Sequence, residues 1–481
     1  MEVIRVTVDQ MVDEIFCSIV HVAAGYRSND LRDWIETNNS MTLAGGPTNP
    51  VIESVPGVLR QEKGGAYTPS VVSIGPVHRG KLTSPEAIEE SVKESTYMSS
   101  LFQRTGSNGG QTITKEGCEE TLRPMANTLK ACYPAVGQPE EDIVSIVTID
   151  CCFIIELLYR HYTIQQRSDP ILRDHLKSYA VRRDLLLLEN QVPFSALEEL
   201  FNLTVERFHP VEPTTAANRS QRRRPNISLT QCVLSFFGDM MGLKDGDISK
   251  KGGGSPIHIL HLLHMCYKPW RIEHELGGGG VVIPRDQGHP CSYKPTAAQL
   301  KTAGVHLRKS ERGNLFDLAF RSPFVINCRS GKLEIPRFSV SNITESFLRN
   351  LIAFEHCCPW VGSYFTSHAL LIDILIDSVE DVKLFEEAKI IQNDLGSRDS
   401  VVQIFNGICR NADPHHFYYN KLFNTMEDFC TPQRAEMEIV KRNCAGNLWI
   451  KLSVFAASML FFLTLLQTVY AMLSYHHPRK A

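Results

Sequence analysis

The chain has 481 residues, 43% hydrophobic and 21% charged, values ordinary for a folded body and unlike either a disordered chain or a multi-span membrane protein. That length accommodates two to four domains, or one large domain with loop insertions. With 50 basic against 53 acidic residues, nothing global draws the chain to nucleic acid or to an anionic surface. The 14 cysteines are too sparse for a disulfide scaffold, and the pairs Cys151-Cys152 and Cys357-Cys358, set in apolar surroundings, read as buried thiols.

In chain order, residues 7–24 fit an amphipathic helix, and the acidic Asp9, Asp13 and Glu14 argue against a cleaved secretory signal. Gly-, Pro-, Ser- and Asn-rich stretches at 103–117, 209–257 and 275–295 predict loop insertions, since such compositions bury too little apolar surface to offset chain entropy. The basic run Arg222, Arg223, Arg224 falls in the second of these and reads as a solvated connector. Between the loops, "EDIVSIVTIDCCFIIELLYRHY" is apolar nearly all round and predicts a central buried helix. Helical spacing also runs through "DLLLLENQVPFSALEELFNLT", on both sides of Pro193, and through "SHALLIDILIDSVEDVKLFEEAKII". Strand signals are confined to "LFDLAFRSPFVINCRSGKLEIPRFSVS", where "RSGK" resembles a hairpin connection.

The C-terminal stretch differs. From Leu452 to Leu473 no side chain is charged, and about 22 residues at roughly 1.5 Å each cover the ~30 Å hydrocarbon thickness of a bilayer. Leu452, Phe455, Phe461, Leu465 and Leu473 make up its apolar surface. Trp449, Tyr470 and Tyr475 sit where interfacial aromatics belong, and Lys451, Arg479 and Lys480 supply charged ends. Thr464, Gln467 and Thr468 recur at helical spacing, so self-association through this helix is one expectation. A single such span, with no signal before it, implies a tail anchor in the plasma membrane or an endomembrane, with residues 1–446 in the cytosol.

Catalytic patterns are absent: neither a Gly-x-Ser-x-Gly elbow nor a phosphate loop occurs, and no zinc-type spacing is present. His258, His261 and His264 stand three residues apart with Cys266 nearby. On a helix they drift about 60° per step, so two could share an ion, although capping or lining a packed helix is the plainer reading. Asp150, Glu156, Asp184, Glu189, Asn190 and Glu355 interrupt apolar windows; buried carboxylates must be paired, and Arg183 and Arg349 are candidate partners. Structural pairing is the first reading of these carboxylates and an unrecognised hydrolase the alternative. No catalytic, cofactor-binding or metal residue is assigned. Five glycosylation sequons, at Asn38, Asn202, Asn218, Asn226 and Asn342, would be occupied only in a domain facing the lumen or cell exterior.

The ordered motifs "AYTPSVVSIGPVHRGKL", "VTIDCCFIIELL", "DLLLLENQVPF", "AAQLKTAGV", "LEIPRFSVSNITESFLRNLIAFEH", "LIDILIDSVEDVKL" and "AASMLFFLTLLQTVYAMLSY" resemble the plant family known as domain of unknown function 247, over roughly residues 52–475. Cys151, Val77 and His356 depart from the Gly, Tyr and Gln usual in that family. The resemblance implies a plant protein that is mainly α-helical and carries a C-terminal membrane span, with no established catalytic activity and some grass members linked to pollen-pistil self-incompatibility. The expected organisation is a variable segment 1–50, one large helical domain 51–446 with a small β-hairpin element, a transmembrane helix 447–475 and a basic tail 476–481. The expected function is non-enzymatic recognition of an unknown protein partner, in signalling or in a self-incompatibility-like process, with no nucleic acid and no cofactor.

Overall fold

The computed structural model describes residues 51–106, 112–163, 168–208, 227–241, 255–267, 294–310, 315–321, 330–412, 414, 417–430 and 448–476. The expected helix at 7–24, Arg222–Arg224, most of the loops at 209–257 and 275–295, and the sequons at Asn38, Asn218 and Asn226 lie outside them. The described chain is mainly α-helical, with a few short strands.

Two apolar cores organise the body. The first surrounds helix α3 (Glu140–Tyr162), against which α1 (Lys115–Leu122), α2 (Ala126–Ala131), α5 (Phe194–Phe208), α6 (Leu229–Met241) and a π-helical turn at Lys93–Met98 pack. Three acidic residues, Glu140, Glu141 and Asp142, open α3, and Arg160 and His161 close it, which complements the helix dipole at both ends. Every residue from Ile146 to Arg160 is buried, as the all-round apolar sequence predicts. Helix α4 (His175–Asp184) starts where the Asp174 carboxylate accepts the Leu176 and Lys177 N–H groups.

The second core lies under α9 (Asn342–Cys357), α10 (Tyr364–Leu375), α11 (Val379–Glu387) and α12 (Arg398–Ile408), together with two small sheets. Helix α7 (Ile259–Tyr267) lies against both cores, and α8 (Ala297–Thr302) precedes the strands. Strands β1 (Val305–Ser310), β2 (Ala319–Arg321) and β3 (Gly331–Pro336) form a sheet in the order β1-β3-β2, with β1 parallel and β2 antiparallel to β3. Strands β4 (Phe338–Val340) and β5 (Ile391–Asn393) pair in parallel. The last helix, α13, runs Leu448–His476.

Several boundaries depart from the sequence reading. The β2–β3 hairpin exists, but Gly331 and Lys332 of "RSGK" belong to β3, so the connection spans 322–330. Strands β1 and β5 lie outside the single stretch with strand signals, because each finds its partner across the fold rather than across a turn. The loop at 103–117 is helical at both ends, up to Gly106 and from Lys115, and α6 occupies the middle of 209–257. The stretch after Ser367 is two helices, because Ser378 and Asp381 form a capping box that restarts the chain.

The largest departure is at Leu185–Val192, which is not helical. This segment is buried and its peptide groups are met by amide side chains. Gln191 Nε2 donates to the Leu185 and Leu187 carbonyls, and Asn350 Oδ1 accepts the Leu188 N–H at 2.9 Å.

Candidate functional site

Three of the polar residues that interrupt apolar windows, Asp150, Asp184 and Asn190, converge on one irregular segment, Ser70–Gly75, which is buried from Val71 onward. Asp184, at the end of α4, accepts the N–H groups of Ser70, Val71 and Val72 at 2.9, 2.7 and 3.0 Å. Asn190 accepts the Ile74 N–H at 2.7 Å and donates to the Val72 and Asp184 carbonyls. Asp150, inside α3, accepts the Gly75 N–H at 2.8 Å. Lys93, with no exposed surface, donates to Asp150 and to the Ser73 carbonyl, both at 2.5 Å. Side chains from four parts of the chain therefore replace the ladder that a strand would have supplied. Gly75 completes the fit: its φ of +69° suits glycine, and a Cβ there would stand 2.8 Å from the Gln191 carbonyl oxygen.

The remaining carboxylates are engaged in the same way. Glu156 receives Arg104 and, at 2.6 Å, Arg160, whose other nitrogen binds Asp169 at 2.9 Å. Asp169 also accepts from the Tyr97 hydroxyl and from the Ile171 and Leu172 N–H groups. Glu189 takes the Val55 N–H at 2.8 Å, Arg60 at 2.5 Å and His78 Nε2 at 3.1 Å. Burial alone would raise the Glu189 pKa, but His78, Arg60 and Val55 outweigh it and hold the carboxyl down at about 2. Glu355 accepts the Phe365 and Thr366 N–H groups at 2.8 Å, the Thr366 hydroxyl at 2.7 Å and His264 Nε2 at 2.9 Å.

Of the two candidate partners, Arg183 does pair with Asp184, at 2.9 Å. Arg349 does not reach any of the six polar residues. It binds Glu345, one turn earlier on α9, and the Gly407 carbonyl, because its own helix offers a carboxylate at the favoured spacing. Lys93, Arg104 and Asp169 were not legible as site residues; Arg160, four residues after Glu156, carried a usable signal.

His258, His261 and His264 line up on or just before α7, each ring within 5.7 Å of the Phe354 ring. Their nitrogens serve the fold: His258 Nδ1 accepts the His261 N–H, His261 Nδ1 accepts the Ile257 N–H, and His264 binds Glu355. Burial pushes the His258 pKa well below the usual imidazole value, with His261 and His264 adding to the effect, so this ring is neutral. Among the described residues, no group of three His, Cys, Asp or Glu side chains is placed to share an ion.

Helix α13 presents a different surface. Its window Phe455–Met472 is long and apolar enough to cross a membrane, and none of that window is buried. Leu452, Phe455, Phe461 and Leu465 are all exposed, and Leu473 lies on the same helix. The Thr464 and Thr468 hydroxyls donate to the Leu460 and Thr464 carbonyls of their own helix, which leaves them nothing to donate to a neighbour; Gln467 is exposed. Of the sequons within the described residues, Asn202 lies exposed on α5 and Asn342 exposed at the start of α9, while Thr204 of the first is buried and bonded to the Leu200 carbonyl.

Residues 52–463 match the family described as a plant protein of unknown function, DUF247. The chain belongs to that family. It is 22% identical over 433 residues to UPF0481 protein At3g47200 of Arabidopsis thaliana, covering 86% of this chain and 84% of that one. It is also 22% identical over 430 residues to Putative UPF0481 protein At3g02645 of the same plant, covering 75% and 78% respectively. No solved structure matches.

Proposed function

We propose that the protein is a membrane-tethered, non-enzymatic recognition protein: α13 anchors it through a single span, and the helical body binds another protein in signalling or in a self-incompatibility-like process. The observation that carries the reading is the apolar window Phe455–Met472, none of which is buried among the described residues, a surface that suits hydrocarbon. The body is placed in the cytosol, on the plasma membrane or an endomembrane. The buried carboxylates support the non-enzymatic half of the proposal. Each is committed to several donors, and a general base needs a lone pair facing a substrate.

The test is topology in plant cells, with tags at both ends of the full chain. Resistance to alkaline extraction, a protease-digestible body and no mobility shift on deglycosylation are expected. Release of the full chain by alkaline carbonate would overturn the anchor. A protected body with glycans at Asn202 or Asn342 would move recognition to the cell exterior. Turnover in a broad hydrolase screen, lost on Glu189→Gln or Glu355→Gln, would replace recognition by catalysis.

A second reading, a membrane scaffold that self-associates through α13, is favoured by one observation. With both threonine hydroxyl protons bonded within the helix, the exposed Gln467 amide is, of Thr464, Gln467 and Thr468, the one with donors to offer another helix in lipid. Oligomers lost on Gln467→Leu but kept on Thr464→Leu and Thr468→Leu are the expected signature.

A further inference from the structure

We propose that the solvent face of the β1-β3-β2 sheet is a docking surface for anionic lipid headgroups, and that it seats the body on the membrane that α13 enters. The inference rests on α13 as the anchor and on a body facing the cytosolic leaflet, which is the anionic one. The sheet has two unlike faces. One carries Val305, Leu333 and Ile335 into the second core. On the other, the register places His306 of β1 opposite Lys332 of β3, and Lys332 opposite Arg321 of β2, so one row crosses all three strands. The next row on the same face runs Arg308, Glu334, Ala319. His306, Arg308, Arg321 and Lys332 are all exposed.

The fold makes little use of these charges. Glu334, the acidic member of the two rows, stands 3.5 Å from Arg321. Among the described residues, Arg308 and Lys332 have no ion-pair partner. Arg321 and Lys332 are like charges directly opposite each other in an antiparallel pair, which costs a sheet stability, and an anion outside the sheet would relieve it. Charge on an edge strand guards against pairing with another chain, but Lys332 stands on the central strand, which has no free edge to guard.

The place of the sheet along the chain suits a membrane surface. Phe320, beside Arg321 in β2, meets the Phe429 ring edge-on at 5.5 Å, at the end of the helix Asn420–Phe429. Residues 430–447 join that helix to Leu448 at the start of α13, a connection that spans at most about 65 Å even when fully extended. The sheet is therefore held within reach of the bilayer without having to bind it tightly. Each Lys or Arg near an anionic leaflet strengthens the contact about fivefold, and the tether makes that contact intramolecular, so Arg308, Arg321 and Lys332 suffice where a free domain would need more.

The experiment places the full-length chain in lipid nanodiscs of phosphatidylcholine, alone or with phosphatidylserine, and treats both with an uncharged amine-acetylating reagent. Acetylation of Lys332 is read by peptide mass spectrometry against that of Lys130, exposed on α2 beside the first core. Both sides of a disc carry the same lipid, so the direction of insertion does not matter. Lys332 should acetylate roughly fivefold or more slowly in the anionic discs, with Lys130 unchanged, and the difference should disappear in about 1 M salt, where charges are screened beyond about 3 Å. Arg308→Gln with Arg321→Gln, both at exposed positions, weakens the contact about 25-fold and should abolish the slowing while leaving the body's melting temperature in place. Entry into neutral discs depends on α13 and not on the sheet. A chain that does not enter them overturns the anchor, and this inference with it; a chain that enters but acetylates Lys332 equally in both discs overturns the inference alone. Equal slowing at Lys130, or slowing that survives the double substitution, would also take the contact away from the sheet. Slowing produced by added polyglutamate and not by anionic lipid would assign the face to an acidic protein and overturn the proposal.

Discussion

Helices α3 and α13 are both apolar nearly all round, yet they meet opposite surroundings. In α3 the apolar run is broken by Asp150, Glu156 and Arg160, and each charge has a partner within 3 Å brought by another element or by the helix itself. In α13 no charged residue interrupts Leu452–Leu473, and the two threonine hydroxyls are bonded to the helix's own backbone. A charge inside an apolar helix is affordable only where the fold delivers a counter-charge, so paired charges mark a helix that faces protein. Their absence, with hydroxyls satisfied internally, is what a helix facing hydrocarbon requires.

The most damaging way to break the comparison is to unpair α3. Lys93→Met leaves Asp150 buried without its cation and should cost about 3–5 kcal/mol in denaturant unfolding of the full chain. Asp184→Ala orphans the three N–H groups of Ser70, Val71 and Val72 and should cost about 3 kcal/mol. A loss below about 1 kcal/mol in either case would show that the network is not what holds Ser70–Gly75 in place.

On α13, exposed among the described residues, the same kind of change should leave the body alone. Leu463→Arg, at an exposed position, should disfavour membrane insertion by about 3 kcal/mol and raise the carbonate-extractable fraction without moving the body's melting temperature. A lowered melting temperature would mean that α13 packs on protein.

Acid should act on the body in two stages. Burial pushes His368 from 6.5 down to about 3, so the folded state holds a neutral ring that the unfolded chain protonates. The stability it contributes is complete above pH 6.5 and is lost as pH falls towards 3. Glu189, held at about 2 against an ordinary 4.5, contributes stability that is present above pH 4.5 and lost as pH falls towards 2. His368→Leu should therefore flatten the decline between pH 6.5 and 4.5 and leave the steeper acid limb, which Glu189→Gln should remove. The smallest effect belongs to Thr468→Val, a few tenths of a kcal/mol at most, because its hydroxyl bonds only its own helix.

Local pattern made much of this molecule legible. The α3 window, the α13 window, the six buried polar residues and the family motifs all stand out because apolar periodicity and its interruptions are properties of neighbours in sequence. The non-helical Leu185–Val192 segment was not legible. Its spacing mimics a helix, and only the arrival of Asn350 from α9 and the folding back of Gln191 supply the hydrogen bonds that let it run irregularly. Strands β1 and β5 escaped for the same reason, since a strand paired in parallel across the fold has no turn beside it to announce it.

The sequence by itself determined that this is a mainly helical protein and that Leu452–Leu473 is long and apolar enough to span a bilayer, because length, charge and periodicity are set residue by residue. Only the tertiary structure decided what the buried polar residues do. Asp184, Asn190, Asp150 and Lys93 come from positions as far apart as 93 and 190, and their shared task at Ser70–Gly75 exists only once packing brings them together and excludes the water that would otherwise satisfy those peptide groups.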